Sequence, residues 1–190
     1  LGPDATAEAD YVYGFRDRVD EVFDLARSIR SDRYLYIRNY LPHYSWAQRS
    51  VYSDQGEIQQ EITQYAVANA ATLTPAQLAY AGPTRPIEEF YDLAADPQNI
   101  VNIAVGERTP EQNAALEEHR TALVKKRGEI LDLGVLPESI LADYIFEEMR
   151  PIREITTGLS NHRPDLDAIW AAADLVGKGS REELLALVES

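Results

Sequence analysis

The chain has 190 residues, of which 45% are hydrophobic and 9% aromatic; this is enough for one domain core and too apolar for wholesale disorder. Its net charge of −14 argues against nucleic acid and anionic membranes as partners, because both recruit clustered Lys and Arg. The absence of Cys excludes disulfides, Cys-ligated zinc and thiol catalysis, and no apolar run approaches the roughly 18 residues of a membrane span.

Four short segments have the pattern of β-strands. They are Tyr11–Tyr13, Val22–Arg30, Arg33–Tyr40 and Glu88–Leu93. Gly14 is expected to interrupt the first, and the polar pair Ser31-Asp32 predicts a hairpin turn between the second and third. The Asp96-Pro97 turn signal closes the fourth.

The remaining periodic segments predict helices. They span residues 56–72, 75–80, 110–134, 137–149, 166–176 and 181–188. Thr74-Pro75 supplies an N-cap with Pro at the first helical position. Thr109 with Gln112, and Ser180 with Glu183, have the spacing of capping boxes.

Strands followed by helices predict an α+β fold. We expect a small antiparallel sheet of about four strands with helices packed on one face, followed by extra C-terminal helices. The predicted domains are residues 1–150, a Pro- and Gly-containing linker at 151–164, and a helical pair at 165–190. One interpretation of that pair is the first unit of a helical repeat region. Because the sequence starts at Leu1 rather than Met, we also expect a piece of a longer protein.

No self-contained catalytic motif is present. His43, His119 and His162 are too far apart to form a metal-ligand pattern, and His119 is predicted to be an ordinary helix residue. The sequence has neither a Gly-rich phosphate loop nor a Gly-x-Ser-x-Gly motif. We therefore predict that this chain has no catalytic residues and no metal site.

Arg16, Asp17 and Arg18 are the candidate binding residues, in a predicted loop at 15–21. Two cations around one acid after a strand are suited to clamping an anionic group. The alternative is an ion-pair cluster that only links two strands. The spacing leaves both interpretations open.

Two motifs then point to a family. Arg85 to Pro97 reads RPIEEFYDLAADP and is followed by Asn102-Ile103-Ala104. This resembles the closing signature of sulfatases: a Glu-rich strand ending in Tyr-Asp-Leu, an Asp-Pro turn, then Asn-Leu-Ala. Upstream, residues 11–40 resemble the hairpin that opens the C-terminal subdomain of that family, most closely in its heparan N-sulfatase-like and bacterial polysaccharide branch. The departures are conservative: Phe90 and Ile103 each stand where Leu is more usual.

The resemblance implies a sulfuric ester hydrolase as the parent protein, periplasmic or secreted, with calcium and a formylglycine made from a Cys or Ser in a Cys-x-Pro-x-Arg motif. This chain has no such motif. The resemblance therefore implies that residues 1–150 are the C-terminal accessory subdomain, without a cofactor and inactive alone, resting on a missing N-terminal catalytic domain.

In that setting the chain would line a cleft for sulfated saccharides, with Arg16, Asp17 and Arg18 as substrate-binding residues. We also expect the isolated piece to self-associate through its uncovered apolar face. Two alternatives stay open: an independent protein-interaction module, and a carbohydrate-binding domain that uses its 11 Tyr residues to stack on sugars.

Overall fold

A computed structural model describes residues 10–147 and 165–178 of the chain. The chain divides into two compact units, Leu1–Val124 and Lys125–Ser190. The predicted linker at 151–164 and the predicted last helix at 181–188, with its Ser180 capping box, lie outside the described residues.

The first unit contains a four-stranded antiparallel sheet. Its strands are β1 (Val12–Arg16), β2 (Ala26–Arg30), β3 (Tyr34–Asn39) and β4 (Glu88–Asp92), in the order β1-β2-β3-β4. The predicted hairpin is confirmed, because the Ser31 amide donates to the Tyr34 carbonyl at 2.9 Å where β2 turns into β3. The α+β class and the sheet therefore follow the prediction.

The prediction that Gly14 interrupts the first strand is wrong. β1 continues through Gly14 to Arg16, and Gly14 pairs with Ser28 on β2. A Cβ at position 14 would lie 2.5 Å from the Ser28 Oγ, so glycine permits the two strands to pair with this serine beside them. Arg16 is consequently a strand residue, and the loop begins at Asp17.

Five α-helices lie within the described residues. They are α1 (Glu57–Ala68), α2 (Pro75–Ala81), α3 (Pro110–Glu129), α4 (Glu138–Glu147) and α5 (Leu166–Asp174). The capping box of Thr109 with Gln112 is confirmed by reciprocal hydrogen bonds. The predicted N-cap at Thr74 is confirmed too, and the structure adds a capping box with Gln77 that was not predicted. The predicted helix at 56–72 ends at Ala68, and a 3-10 turn follows at Ala70–Thr72.

The predicted helix at 110–134 also ends early. α3 stops at Glu129, and Leu131 has a left-handed backbone with φ of 52°, which an α-helix cannot include. The seven-residue spacing predicts that Leu116 and Leu123 share a face, and both are buried. Ile130, the third residue of that series, is 45% exposed and lies beyond the helix.

The core of the first unit lies between α3 and one face of the sheet. Leu116 and Leu123 of α3 pack against sheet side chains: Ile29, Tyr34, Tyr36 and Phe90. Register explains the grouping, because Ile29, Tyr36 and Phe90 are cross-strand neighbours and so point to the same side. Each fully buried apolar side chain contributes about 1.5–3 kcal/mol to folding, so this face holds the sheet and α3 together.

The second unit has a smaller core around Trp170 of α5. The Arg127 guanidinium carbon lies 4.2 Å from the indole centroid, and its Nη2 lies 2.7 Å from Oδ2 of Asp174. The indole N–H donates to the Asp132 carbonyl at 2.9 Å. Asp165 caps α5 by accepting the Ala168 amide.

Across residues 10–147 and 165–178, no helix combines the length and apolar character needed to cross a membrane.

Candidate functional site

The sulfatase-like signature has a structural role in this fold. Oδ1 of Asn102 accepts the amides of Phe90 and Ala104, both at 2.9 Å, and its Nδ2 donates to the Glu88 carbonyl at 3.0 Å. The Ile103 amide adds a bond to the Phe90 carbonyl at 2.8 Å. The Asn side chain therefore satisfies the outer edge of β4, which would otherwise expose unpaired backbone groups.

Asp92, at the end of β4, links the sulfatase-like signature to the turn between β2 and β3. Its carboxylate accepts from Arg33 Nη2 at 3.0 Å and from the Ala94 amide at 3.1 Å. The hydrogen bonds from Arg33 lower the pKa of Asp92, because they stabilise its charged form more than burial opposes it. The Tyr-Asp-Leu segment thus stabilises the turn after β4 and supplies no reactive group.

His119 is a structural residue, as predicted. It is buried, its Nδ1 lies 2.7 Å from the Ala115 carbonyl, and its Nε2 lies 3.0 Å from the Ser31 hydroxyl. A carbonyl only accepts, so Nδ1 is the protonated nitrogen. Edge contacts with Tyr34 and Phe90 complete its surroundings.

The three predicted site residues do not form a single cluster. Arg16 Nε lies 2.9 Å from Asp24 Oδ2, whereas Asp17 Oδ1 accepts from Arg27 Nη1 at 2.7 Å. Arg18 turns back on its own loop, and its Nε donates to the Asp20 carbonyl.

Strand alternation also separates these residues. Arg16 pairs with Ala26, so Arg27, the partner of Asp17, projects from the opposite face of the sheet. The structure therefore gives Arg16 and Asp17 separate ion-pair partners.

Arg16 belongs to a buried charge network that sequence reasoning missed. Arg85 and Asp24 have fully buried side chains, and Arg85 Nη1 donates to Asp24 Oδ2 at 2.9 Å. Asp24 therefore lies between two arginines, Arg85 inside and Arg16 outside. The Arg85 guanidinium carbon lies 4.3 Å from the Trp46 ring centroid, and that of Arg16 lies 5.7 Å from it.

A small cavity opens beside this network on the sheet face away from α3. Its volume is about 210 Å³. Its lining includes Gly14, Arg16, Ala26, Ser28, Ile37 and Trp46. The Arg16 side chain is 43% exposed, so its charge is available at the cavity. Phe15 and Arg27 complete the lining. With the Arg16 cation, the Ser28 hydroxyl and the Trp46 ring, the cavity suits binding rather than catalysis.

A larger groove of about 370 Å³ lies between α1 and α2. Its lining includes Ile62, Tyr65, Ala66, Leu73 and Tyr80. Tyr65 is 54% exposed and Tyr80 is 49% exposed. The groove is mainly apolar, with Glu61 and Gln77 as its polar members. Such an exposed apolar surface is typical of a contact site.

Within the described ranges, no three His, Asp or Glu side chains come together in a way that could hold a metal ion. His43 lies against Tyr44, with ring centroids 4.2 Å apart, and His162 lies outside those ranges. The residues that the structure describes therefore do not fit a calcium site of the kind that the sequence resemblance implies for the parent enzyme.

Comparison with known proteins gives one informative match. No protein-family profile matches the sequence. An Ulvan-active sulfatase from Formosa agariphila is 30% identical over 146 residues, which cover 77% of this chain and 24% of that protein. The chain thus spans about a quarter of the length of the sulfatase to which it is similar.

Proposed function

We propose that this chain is the C-terminal accessory subdomain of a sulfatase that acts on sulfated polysaccharide, and that it is inactive alone. The observation that carries the proposal is the 30% identity to an Ulvan-active sulfatase over 77% of the chain, with only 24% of that protein matched. The closing signature is consistent with it, because its Asn102 and Asp92 hold β4 in place in the sheet.

The reactive groups would lie in the other part of the parent protein. Sulfate ester hydrolysis through formylglycine needs a Cys or Ser precursor in its motif and a divalent cation, and this sequence has no Cys- or Ser-x-Pro-x-Arg motif. The described residues do not fit the cation, so we assign no catalytic step to them. The chain would contribute stability and substrate contacts.

The groove between α1 and α2 is our candidate contact surface for that catalytic part. Besides Tyr65 and Tyr80, the helices expose Ile58 by 74% and Val67 by 82%. Exposed apolar side chains at this density are costly in water and are usually covered by a partner. A partner segment within the same polypeptide would cover them without a separate association step.

Arg16, Asp17 and Arg18 are proposed to contact the substrate. The name of the relative points to ulvan, and an anionic polysaccharide needs cations on an otherwise acidic chain. Arg16 is the best placed of the three, because Asp24 fixes its Nε while part of its side chain stays exposed. Arg18 is exposed on the adjoining loop.

Complementation tests the proposal. The reading frame upstream of this chain would be expressed as a separate protein, and sulfate release from ulvan would be measured with and without the 190-residue chain. We expect neither part to be active alone and activity to return on mixing. An upstream frame without a Cys- or Ser-x-Pro-x-Arg motif would overturn the assignment.

An independent carbohydrate-binding module is the second candidate. The cavity that joins Trp46 to Arg16 favours it, because an aromatic ring beside a cation is suited to an acidic sugar. Binding of saccharide with no sulfatase frame upstream would support this candidate against the first.

A further inference from the structure

We infer that the cavity beside Arg16 and Trp46 is a subsite for one acidic sugar unit, with the anionic group on the Arg16 guanidinium and the sugar ring against the indole. The inference deepens the proposed function by naming the ligand chemistry of its best-placed residue. It requires only binding, so it can be tested on this chain without any sulfatase activity.

The terminal N–H groups of the Arg16 guanidinium are available to a ligand. Its Nε lies against Asp24, and no described residue forms a hydrogen bond with its Nη atoms. Arginine has five N–H donors in a fixed planar array, and the terminal ones suit the paired oxygens of a sulfate ester or a carboxylate. Asp24 therefore orients the group and leaves its terminal donors for a ligand.

The charge balance around Arg16 is positive although the chain is strongly acidic. Arg16, Asp24 and Arg85 together carry two positive charges and one negative charge. Arg85 and Asp24 are fully buried, so the surplus positive charge is presented at Arg16, whose side chain is 43% exposed. Arg27 also lines the cavity, and its ion pair with Asp17 adds no net charge there. An anion reaching the cavity thus meets a net cation.

The walls of the cavity suit a sugar ring. Trp46 is partly exposed and supplies an aromatic wall, on which the C–H groups of a pyranose can rest. Gly14 has no side chain and leaves room above β1, and the Ser28 hydroxyl can donate to or accept from a sugar hydroxyl.

The size also favours a single sugar unit. At about 210 Å³, the cavity is smaller than the sites of roughly 300–1,000 Å³ that hold drug-sized ligands. One ring with its anionic group is therefore the largest ligand we expect inside it.

Ligand binding to the cavity can be measured through the fluorescence of Trp46. The chain has two Trp residues, and the Trp170→Phe background leaves Trp46 as the only indole fluorophore. Glucuronic acid and a sulfated glucose would be titrated as acidic sugars, with glucose and inorganic sulfate as the neutral and ring-free probes. The indole N–H resonance of Trp46 in the unsubstituted chain is a second measurement that does not depend on the substitution.

We expect at least one acidic sugar to perturb Trp46 saturably and to bind more tightly than either glucose or inorganic sulfate. Which of the two acidic sugars binds better identifies the anion as carboxylate or sulfate ester. Arg16→Met should weaken binding at least about tenfold, the usual cost of a lost charge-assisted hydrogen bond.

Arg33→Met is the matched control. Arg33 is 48% exposed, close to the 43% of Arg16, and its ion pairs are with Asp92 and Glu111 rather than at the cavity. This variant should bind as the wild type does. The inference is overturned if neither acidic sugar gives a saturable change, if glucose or inorganic sulfate binds equally well, or if Arg16→Met and Arg33→Met behave alike. The complementation experiment, which measures sulfate release after mixing with the upstream protein, tests the sulfatase assignment separately. The sugar subsite and the sulfatase assignment can therefore fail independently.

Discussion

Arg85 and Asp24 form a fully buried ion pair although 61 residues separate them along the chain. Arg85 lies three residues before the start of β4, and Asp24 lies two residues before the start of β2. The pair therefore ties together the starts of two strands that are not neighbours in the sheet. The indole of Trp46 covers the guanidinium, which limits its contact with water.

Arg85→Met should destabilise the first unit strongly. It leaves the buried Asp24 carboxylate with Arg16 as its remaining cation and the Leu25 amide as a donor, and breaking a buried ion pair costs about 3–5 kcal/mol. The free energy of unfolding from urea titration measures the effect. Arg49→Met is the control, because Arg49 is 61% exposed and an exposed ion pair such as the one with Asp54 contributes little to stability. Similar losses in the two variants would contradict this role for Arg85.

Glu88 should make stability depend on pH. It accepts from Tyr36 at 2.6 Å and from Arg120 Nε at 3.0 Å. Burial alone would raise the pKa of Glu88, but the hydrogen bonds from Arg120 and Tyr36 outweigh burial and lower it below 4.5. A lowered folded-state pKa gives stability that is present above the unfolded-state value and lost as pH falls through the folded-state value.

Glu88→Gln should therefore cost about 1–3 kcal/mol at pH 7, and its difference from the wild type should shrink as pH falls below about 4.3. Urea unfolding at several pH values measures that difference. Glu129→Gln, in an exposed helical pair with Lys126, should change stability by only about 0.5 kcal/mol at pH 7. A Glu88→Gln deficit that stays constant down to strong acid would show that the carboxylate charge is not its source.

Local sequence patterns predicted most of the fold. They did not predict the charge network of Arg16, Asp24 and Arg85, because Arg85 lies far from the other two residues in the sequence. The Ser31-Asp32 turn and the Thr109 capping box are determined by residues within four positions, so the sequence is sufficient to place them. Gly14 misled the strand assignment, because only the pairing with Ser28 shows why a glycine belongs inside β1.

Trp46 and the Asp24–Arg85 pair could not be inferred in this way. Their contacts join separate segments of the chain and appear only once the sheet is formed. The same holds for the separate ion-pair partners of Arg16 and Asp17, which depend on how β1 pairs with β2.

Calcium should leave the melting temperature of this chain unchanged. Within residues 10–147 and 165–178, no cluster of three carboxylate or His side chains is available, and isolated carboxylates hold calcium weakly. A real site at a hundredfold excess over its dissociation constant would stabilise the fold by about 2.7 kcal/mol. Thermal unfolding with calcium and with chelator makes the comparison, and a clear upward shift that chelator reverses would refute the prediction.

The isolated chain should self-associate through the groove between α1 and α2. Ile62 and Tyr65 line it and are 37% and 54% exposed. Replacing both with Ser should weaken association at least about tenfold, because each buried apolar side chain contributes about 1.5–3 kcal/mol. Sedimentation velocity over a range of concentrations measures this. Val105→Ser, at a residue that is 68% exposed and outside the groove, should leave association as it is. A wild-type chain that stays monomeric at high concentration would contradict self-association through this groove.

In the complete parent enzyme, Arg16→Ala should reduce activity on the polysaccharide more than activity on a small aryl sulfate. Arg16 would contact a part of the saccharide that an aryl sulfate lacks, so its loss removes binding energy from the large substrate alone. We expect a fall in kcat/KM of about tenfold or more on ulvan and little change on the aryl substrate.

Arg18→Ala should show the same preference with a smaller effect, because Arg18 Nε is already bonded to the Asp20 carbonyl. Steady-state kinetics on both substrates make the comparison, and Arg33→Ala provides a half-exposed arginine away from the cavity. Equal losses of activity on both substrates would indicate that Arg16 has only a structural role beside Asp24.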